Sequence, residues 1–133
     1  MKTKIVVVVS GILKDKSGRI LLLKRSASNK SNKGKWQLPE GKMEFGESVQ
    51  ETLEREISEE TNLKVAKPKL LTVTTTIMKV DTIRYHVVRI VFNVNWKGKI
   101  ALSKDHSGHQ WFKKEELAEL NMISGLTGLF NLK

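Results

Sequence analysis

The chain has 133 residues and a formal net charge of +10, a length that fits one domain, residues 1–133. Hydrophobic residues make up 39% and charged residues 29%, enough apolar material for a core and too much for a disordered chain. There is no cysteine, so disulfides, thiolate zinc sites and cysteine nucleophiles are excluded, and a reducing, cytoplasmic setting is expected.

In chain order, Lys2 and Lys4 precede the run Ile5–Val9. A charged start before an apolar stretch is one form of a signal peptide. This stretch is short and β-branched, closes at Lys14 and Asp15, and lacks a small-residue cleavage site, so a buried strand over 4–13 explains it better. No run approaches the ~20 apolar residues of a membrane span, and no membrane partner is expected. Residues 14–18 read as a turn and 19–25 as a second strand, making a hairpin. Residues 26–35 are polar and read as an exposed loop, and 36–46, with Pro39, Gly41 and Gly46, as a structured one. Ser48 and Glu51 form a capping box that opens a helix over 49–61, and Asn62 suits its left-handed end. Residues 70–80 and 83–96 read as two strands about Asp81-Thr82. A short strand at 110–112, a short helix at 114–119 and a final helix from Gly125 complete the chain. Strands and helices mix without strict alternation, which predicts an α/β (α+β) domain with a mixed sheet and helices against it.

The charge is unevenly distributed. Eight of the fourteen acidic residues lie between Glu40 and Glu60, where only Lys42 and Arg55 are basic. At 100° per residue, Val49 and Leu53 define the inward face of the 49–61 helix, and Glu56 and Glu60 fall within about 20° of Val49. Glu59 is Glu56's neighbour one turn on, so three carboxylates converge. Crowded like charges repel and are costly to bury, and a hard dication such as Mg²⁺ or Mn²⁺ would relieve them. The plainer reading is a charged surface helix with Arg55 pairing Glu51 and Glu59.

The wider pattern decides between them. Gly41, five residues, Glu47, seven residues, then Arg55-Glu56-Ile57-Ser58-Glu59-Glu60-Thr61-Asn62-Leu63 closely resembles the box of the Nudix hydrolases. Six fixed polar or glycine positions and both apolar positions agree. A chance match in this chain is on the order of one in a million. One position departs: Asn62 stands for the box's last glycine, and asparagine is the next-best residue for a left-handed turn. The preceding Trp36-Gln-Leu-Pro-Glu40 also resembles the lead into the box.

The resemblance implies a Nudix-like α/β/α sandwich with a mixed central sheet. It implies hydrolysis of a nucleoside diphosphate linked to another group, aided by Mg²⁺ with Mn²⁺ as a substitute. Glu56, Glu59 and Glu60 would bind the metal, joined by a backbone carbonyl at Glu40 or Gly41. Glu47 would hold or support a further metal, and Arg55 would orient a carboxylate. The base would be Glu56 or Glu59. Some relatives use a late-loop glutamate instead, and Asp105 is the nearest acidic residue to that place here. Lys24 and Arg25 would lie near the substrate phosphates. Trp36 and Phe45 could stack on a base or pack in the core. Tyr85-His86 could line a base pocket, though alternation along a strand turns one of the two away. His106 and His109 are weaker metal candidates, Trp111-Phe112 reads as core, and the lysine-rich loop 30–35 lacks the interleaved aromatics of a nucleic-acid surface.

The expected substrate is a nucleoside triphosphate, oxidised forms included. ADP-ribose, nucleotide sugars, dinucleoside polyphosphates and a noncatalytic nucleotide- or RNA-binding module are the alternatives. The expected partner is a small-molecule nucleotide rather than nucleic acid, and the sequence leaves the oligomeric state, monomer or homodimer, open.

Overall fold

Ser48 takes an extended backbone and its side chain accepts from the Glu51 amide at 3.1 Å, while the Glu51 carboxylate accepts from the Ser48 amide at 2.9 Å. This reciprocal cap starts helix α1, Val49–Thr61. Asn62 ends it with a left-handed φ of 66°, the conformation that the missing glycine would otherwise supply. Ser48→Ala is expected to cost about 1 kcal/mol, read as a shift in the urea midpoint at constant m-value. The computed structural model describes residues 1–28, 32–123, 126 and 129, and the helix expected from Gly125 falls largely outside them.

Among the described residues there are seven strands: β1 Lys2–Ile12, β2 Ile20–Arg25, β3 Trp36–Gln37, β4 Glu40–Lys42, β5 Lys64–Val80, β6 Ile83–Lys97 and β7 His106–Phe112. They form two sheets, one ordered β4-β1-β6-β5 and one ordered β3-β2-β7. In the first, β1 runs parallel to β6 and antiparallel to β4, so the sheet is mixed as expected. A 3-10 helix, Lys114–Glu119, follows β7. Among the described residues no helix is long and apolar enough to cross a membrane.

The expected β1–β2 hairpin survives only as its turn. Asp15 donates its amide to the Arg19 carbonyl, Leu21 donates to Leu13, and Lys14 bridges Ile20. The strands then part into different sheets. The cause is the Ile20-Leu-Leu-Leu23 run, which is apolar on both faces. Ile20 and Leu22 enter one core with Val91 and Phe112, while Leu21 and Leu23 enter the other with Leu53 and Ile57. A strand that must be covered on both sides sits between layers rather than beside its neighbour in sequence. Burying Leu53 and Ile57 on this second core stabilises the helix docking by roughly 1.5–3 kcal/mol each.

Two strands are longer than the sequence suggests. β5 starts six residues earlier than expected, through Pro68, with register shifts at Ala66/Lys69 and Leu70/Thr72. It is an outer strand, where a proline's missing N–H need break no ladder bond. β7 begins at His106 rather than residue 110 because pairing with β2 gives its polar start hydrogen-bond partners that its own side chains do not advertise.

Candidate active site

The buried side of α1 is Thr52, Leu53, Ile57 and Thr61. It is rotated from the expected stripe, and Val49 is only half-buried. Glu56 and Glu60 therefore lie on the flank toward β4, with side chains 16% and 14% exposed, while Glu59 is 59% exposed. Gly41 permits this approach, since a Cβ at that position would overlap the Glu56 carboxylate.

Arg55 lies among the carboxylates. Its Nε donates to Glu47 Oε2 at 2.6 Å and its Nη2 to Glu47 Oε1 at 2.8 Å. Its Nη1 donates to Glu56 Oε1 at 2.7 Å and reaches Glu59 Oε2 at 3.4 Å, and Nη2 also donates to the Lys42 carbonyl at 3.1 Å. Glu51, the partner expected for Arg55 on a plain surface helix, is engaged in the cap instead. The Arg55 fork, with the Glu44 amide, holds the Glu47 carboxyl down to about 2. Because that value is depressed from 4.5, the pair stabilises the fold above pH 4.5 and is lost as pH falls toward 2. The melting temperature is accordingly expected to fall across that window more steeply in the parent chain than in Glu47→Gln. Parallel curves would remove this role from the pair.

Glu60 meets β4. Its Oε1 accepts from the Glu40 amide at 2.9 Å. Gly11 donates to Pro39 O and Met43 donates to Val7 O, so the alternation of an antiparallel ladder turns the Glu40 peptide groups outward, toward the helix. Of the two carbonyls expected near the carboxylates, that of Glu40 is thus the one the ladder leaves outward-facing. The Glu40 side chain goes the other way. It is buried, accepts from Ser10 Oγ at 2.7 Å, and takes Arg89 Nε and Nη2 at 3.0 Å each.

Burial pushes the Glu60 carboxyl well above its usual range and that of Glu56 upward as well, with the neighbouring carboxylates adding to both. His106 Nε2 stands 3.9 Å from Glu60 Oε2. Burial first, then Arg25, lowers the His106 pKa to about 4. Both His106 ring nitrogens and Ser103 Oγ are buried without a hydrogen-bond partner among the described residues. His109, the other candidate, is exposed.

Hard, desolvated carboxylates beside an outward carbonyl are a donor set that fits a divalent cation. As arranged, no three acidic or histidine side chains among the described residues gather into a coordination sphere. Arg55 takes Glu47, Glu56 and Glu59 to itself instead.

The carboxylate end of α1 opens into a cavity of about 280 Å³ between the sheets. Arg25, Gln37, Glu40, Glu60 and Arg89 give it a polar side, and Val6, Met78, Val80 and Tyr85 an apolar one. Arg25 Nη1 donates to Gln37 Oε1 at 2.7 Å. A larger groove of about 720 Å³ lies at the far end of β6, lined by Lys14, Lys67, Lys69 and Trp96, and has no carboxylate on its walls.

Of the expected substrate contacts, Arg25 lines the cavity and four do not. Lys24 points outward, over the Trp36 ring at 5.9 Å. Phe45 is wholly exposed on the loop before α1. His86 is turned to the other face of the sheet by strand alternation, and its neighbour Tyr85 lines the cavity, beneath Lys42 at 5.3 Å. Asp105 is exposed ahead of β7 and takes no part in the cavity wall. Trp36 packs edge-to-face on Phe112 at 5.0 Å, and Trp111 stacks on Trp96. Arg89 was not anticipated. An arginine inside the apolar stretch Val87–Phe92 was the available signal, because a cation buried there must meet an anion.

The NUDIX domain model matches residues 4–128, and the chain belongs to that family. It is 38% identical over 120 residues, 90% of this chain, to an ADP-ribose pyrophosphatase of Methanocaldococcus jannaschii, and spans 65% of that protein. It is 32% identical over 109 residues, 80% of this chain, to the Nudix hydrolase YvcI of Bacillus subtilis, and spans 66% of it. Among solved structures, a MutT protein from Methanosarcina mazei superposes with a TM-score of 0.84 at 26% identity, covering 98% of this chain and 94% of that one. A MutT protein from Bacillus halodurans gives 0.76 at 30%, covering 95% and 80%.

Proposed function

We propose that the chain hydrolyses the pyrophosphate bond of a nucleoside diphosphate linked to another group, with nucleoside triphosphates, oxidised ones included, as the favoured substrates. The observation that carries this reading is the carboxylate end of α1 opening at Glu60 into a cavity with two arginines on one side and Tyr85 with aliphatic residues on the other. Arg25 suits phosphates, Arg89 being held by Glu40, and the apolar wall suits a base.

Glu56, Glu59 and Glu60, with the Glu40 carbonyl, would hold a divalent cation, with Mg²⁺ proposed and Mn²⁺ as its substitute. Such a cation, when bound, neutralises diphosphate charge and acidifies water. Arg55 fixes Glu47 and Glu56 in place. Arg25 orients the phosphates, and Tyr85 stacks on the base. Glu59, the most exposed of the three carboxylates, accepts the proton of the attacking water. The water oxygen bonds to phosphorus, the bridging P–O bond breaks with its electron pair, and nucleoside monophosphate and pyrophosphate leave. A cytoplasmic setting belongs to the same reading.

A second reading, ADP-ribose as substrate, is favoured by the name of the Methanocaldococcus jannaschii relative. A panel of dNTPs, 8-oxo-dGTP, ADP-ribose, a dinucleoside polyphosphate and a nucleotide sugar, incubated with Mg²⁺ and resolved by chromatography, separates the two. Release of a nucleoside monophosphate and pyrophosphate from the triphosphates, lowered by roughly a hundredfold or more in Glu59→Gln, is the expected result. Preferential cleavage of ADP-ribose selects the second reading. No turnover by a folded, Mg²⁺-binding chain would sink both and favour a noncatalytic nucleotide-binding module.

A further inference from the structure

Three buried polar atoms have no hydrogen-bond partner among the described residues: both ring nitrogens of His106 and the hydroxyl of Ser103. Buried polar groups are nearly always satisfied, because an unmade hydrogen bond in a dry interior costs free energy. Nor is this an ill-packed corner. The Ser103 amide donates to the Glu60 carbonyl at 3.2 Å, and the His106 amide donates to the Ser103 carbonyl at 3.2 Å. His106 then opens β7 and pairs with Arg25 of β2. The imidazole is thus placed from both sides, 1% exposed, with Nε2 3.9 Å from Glu60 Oε2.

Glu60 is the matching half. Its Oε1 is taken by the Glu40 amide at 2.9 Å, which leaves Oε2 as the oxygen toward His106. The gap of 3.9 Å is about one ångström more than an N–H···O bond needs. A small turn of the carboxylate about its anchored oxygen closes it. In the imidazole tautomer with its proton on Nε2, Nδ1 is a bare acceptor, and the Ser103 hydroxyl of the same turn is a donor suited to it.

We propose that His106 is a positioning residue for Glu60: when the α1 carboxylates hold a divalent cation, Nε2–H donates to Glu60 Oε2 and fixes the direction of that carboxylate, with Ser103 holding the ring in this tautomer. The proposal rests on the cation reading given above. A carboxylate oxygen has two lone pairs, so Oε2 can accept this bond with one and face a cation with the other. Carboxylates that ligate metals are commonly hydrogen-bonded from behind in this way. The cation-free fold carries the unpartnered atoms, and the loaded one satisfies them.

Mn²⁺, counted free in solution by electron paramagnetic resonance, probes the site without any nucleotide, and Glu60→Gln gives the background from other carboxylates. His106→Leu is expected to weaken the Glu60-dependent binding roughly 10–100-fold, the range for partners of metal-ligating groups. Urea denaturation of the same variant in EDTA is expected to give an unchanged or higher midpoint, because leucine removes two buried, unpartnered nitrogens. His106→Gln, whose amide N–H reaches about as far as Nε2, is expected to recover most of the affinity. His106→Asn, whose amide stops near the place of Nδ1, is not. A midpoint that falls in His106→Leu marks a histidine that only props the fold and overturns the proposal. So does Mn²⁺ affinity unchanged in that variant, or a His106→Gln no better than His106→Leu. If the parent holds no more Mn²⁺ than Glu60→Gln, the cation reading itself fails, and this proposal with it.

Discussion

Glu59→Gln is expected to lower kcat by roughly 10²–10⁴-fold, the contribution of a positioned general base, while leaving the fold nearly unchanged. The separation of the two effects comes from its setting. Glu59 is 59% exposed, and its described contact is Arg55 at 3.4 Å, so its loss falls within the ~0.5 kcal/mol typical of surface substitutions. Glu56→Gln should behave differently. Glu56 is half-buried and holds Arg55 at 2.7 Å, so both turnover and melting temperature should fall. Measuring kcat, Mg²⁺ affinity and thermal stability for the two variants beside Asp105→Asn decides the matter. If Asp105→Asn loses turnover as severely as Glu59→Gln, with fold and metal affinity intact, the base belongs to the loop before β7 and not to the helix.

Arg89→Met is expected to cost about 3–5 kcal/mol, the penalty for leaving one partner of a buried ion pair uncompensated. Arg89 is 3% exposed and Glu40 7%, and two hydrogen bonds join them at 3.0 Å each. With methionine at 89, Ser10 Oγ is left as the known donor to the Glu40 carboxylate. Glu40→Leu in the same chain should recover much of the loss, since an apolar pair of similar volume avoids desolvating either charge. Urea denaturation of the parent, the single and the double variant reads both steps. A loss below 1 kcal/mol in the single variant would show that the pair is tied together more loosely than its geometry implies.

What the sequence disclosed and what it withheld follow from the range of the interactions involved. The extent of α1, its capping box and its left-handed end at Asn62 depend on groups within four residues of one another, so they could be read directly. The carboxylates of the box could be placed on the helix for the same reason. Their surroundings could not. The direction of Glu60 is set by the Glu40 amide, that of Glu40 by Arg89, and that of Arg89 by the β1–β6 register. A one-residue change in that register would exchange Tyr85 for His86 in the cavity, which is why the histidine was expected where the tyrosine stands. The parting of β1 from β2 was hidden likewise, because a hairpin turn is local and the demand of two cores on one leucine run is not.

The far end of α1 has a consequence in time as well as in space. Its last carbonyls do not end in solvent: Ser103 donates its amide to Glu60 O and Ala101 to Thr61 O. Ordinarily the final turn of a helix frays far more often than the domain unfolds. Here Glu59 and Glu60 ride on a turn that can open only if the strap at 101–103 lifts with it, and that strap leads directly into β7, which is paired to the buried strand β2. The carboxylate end of the helix is thereby expected to open more rarely than a helix end left in solvent.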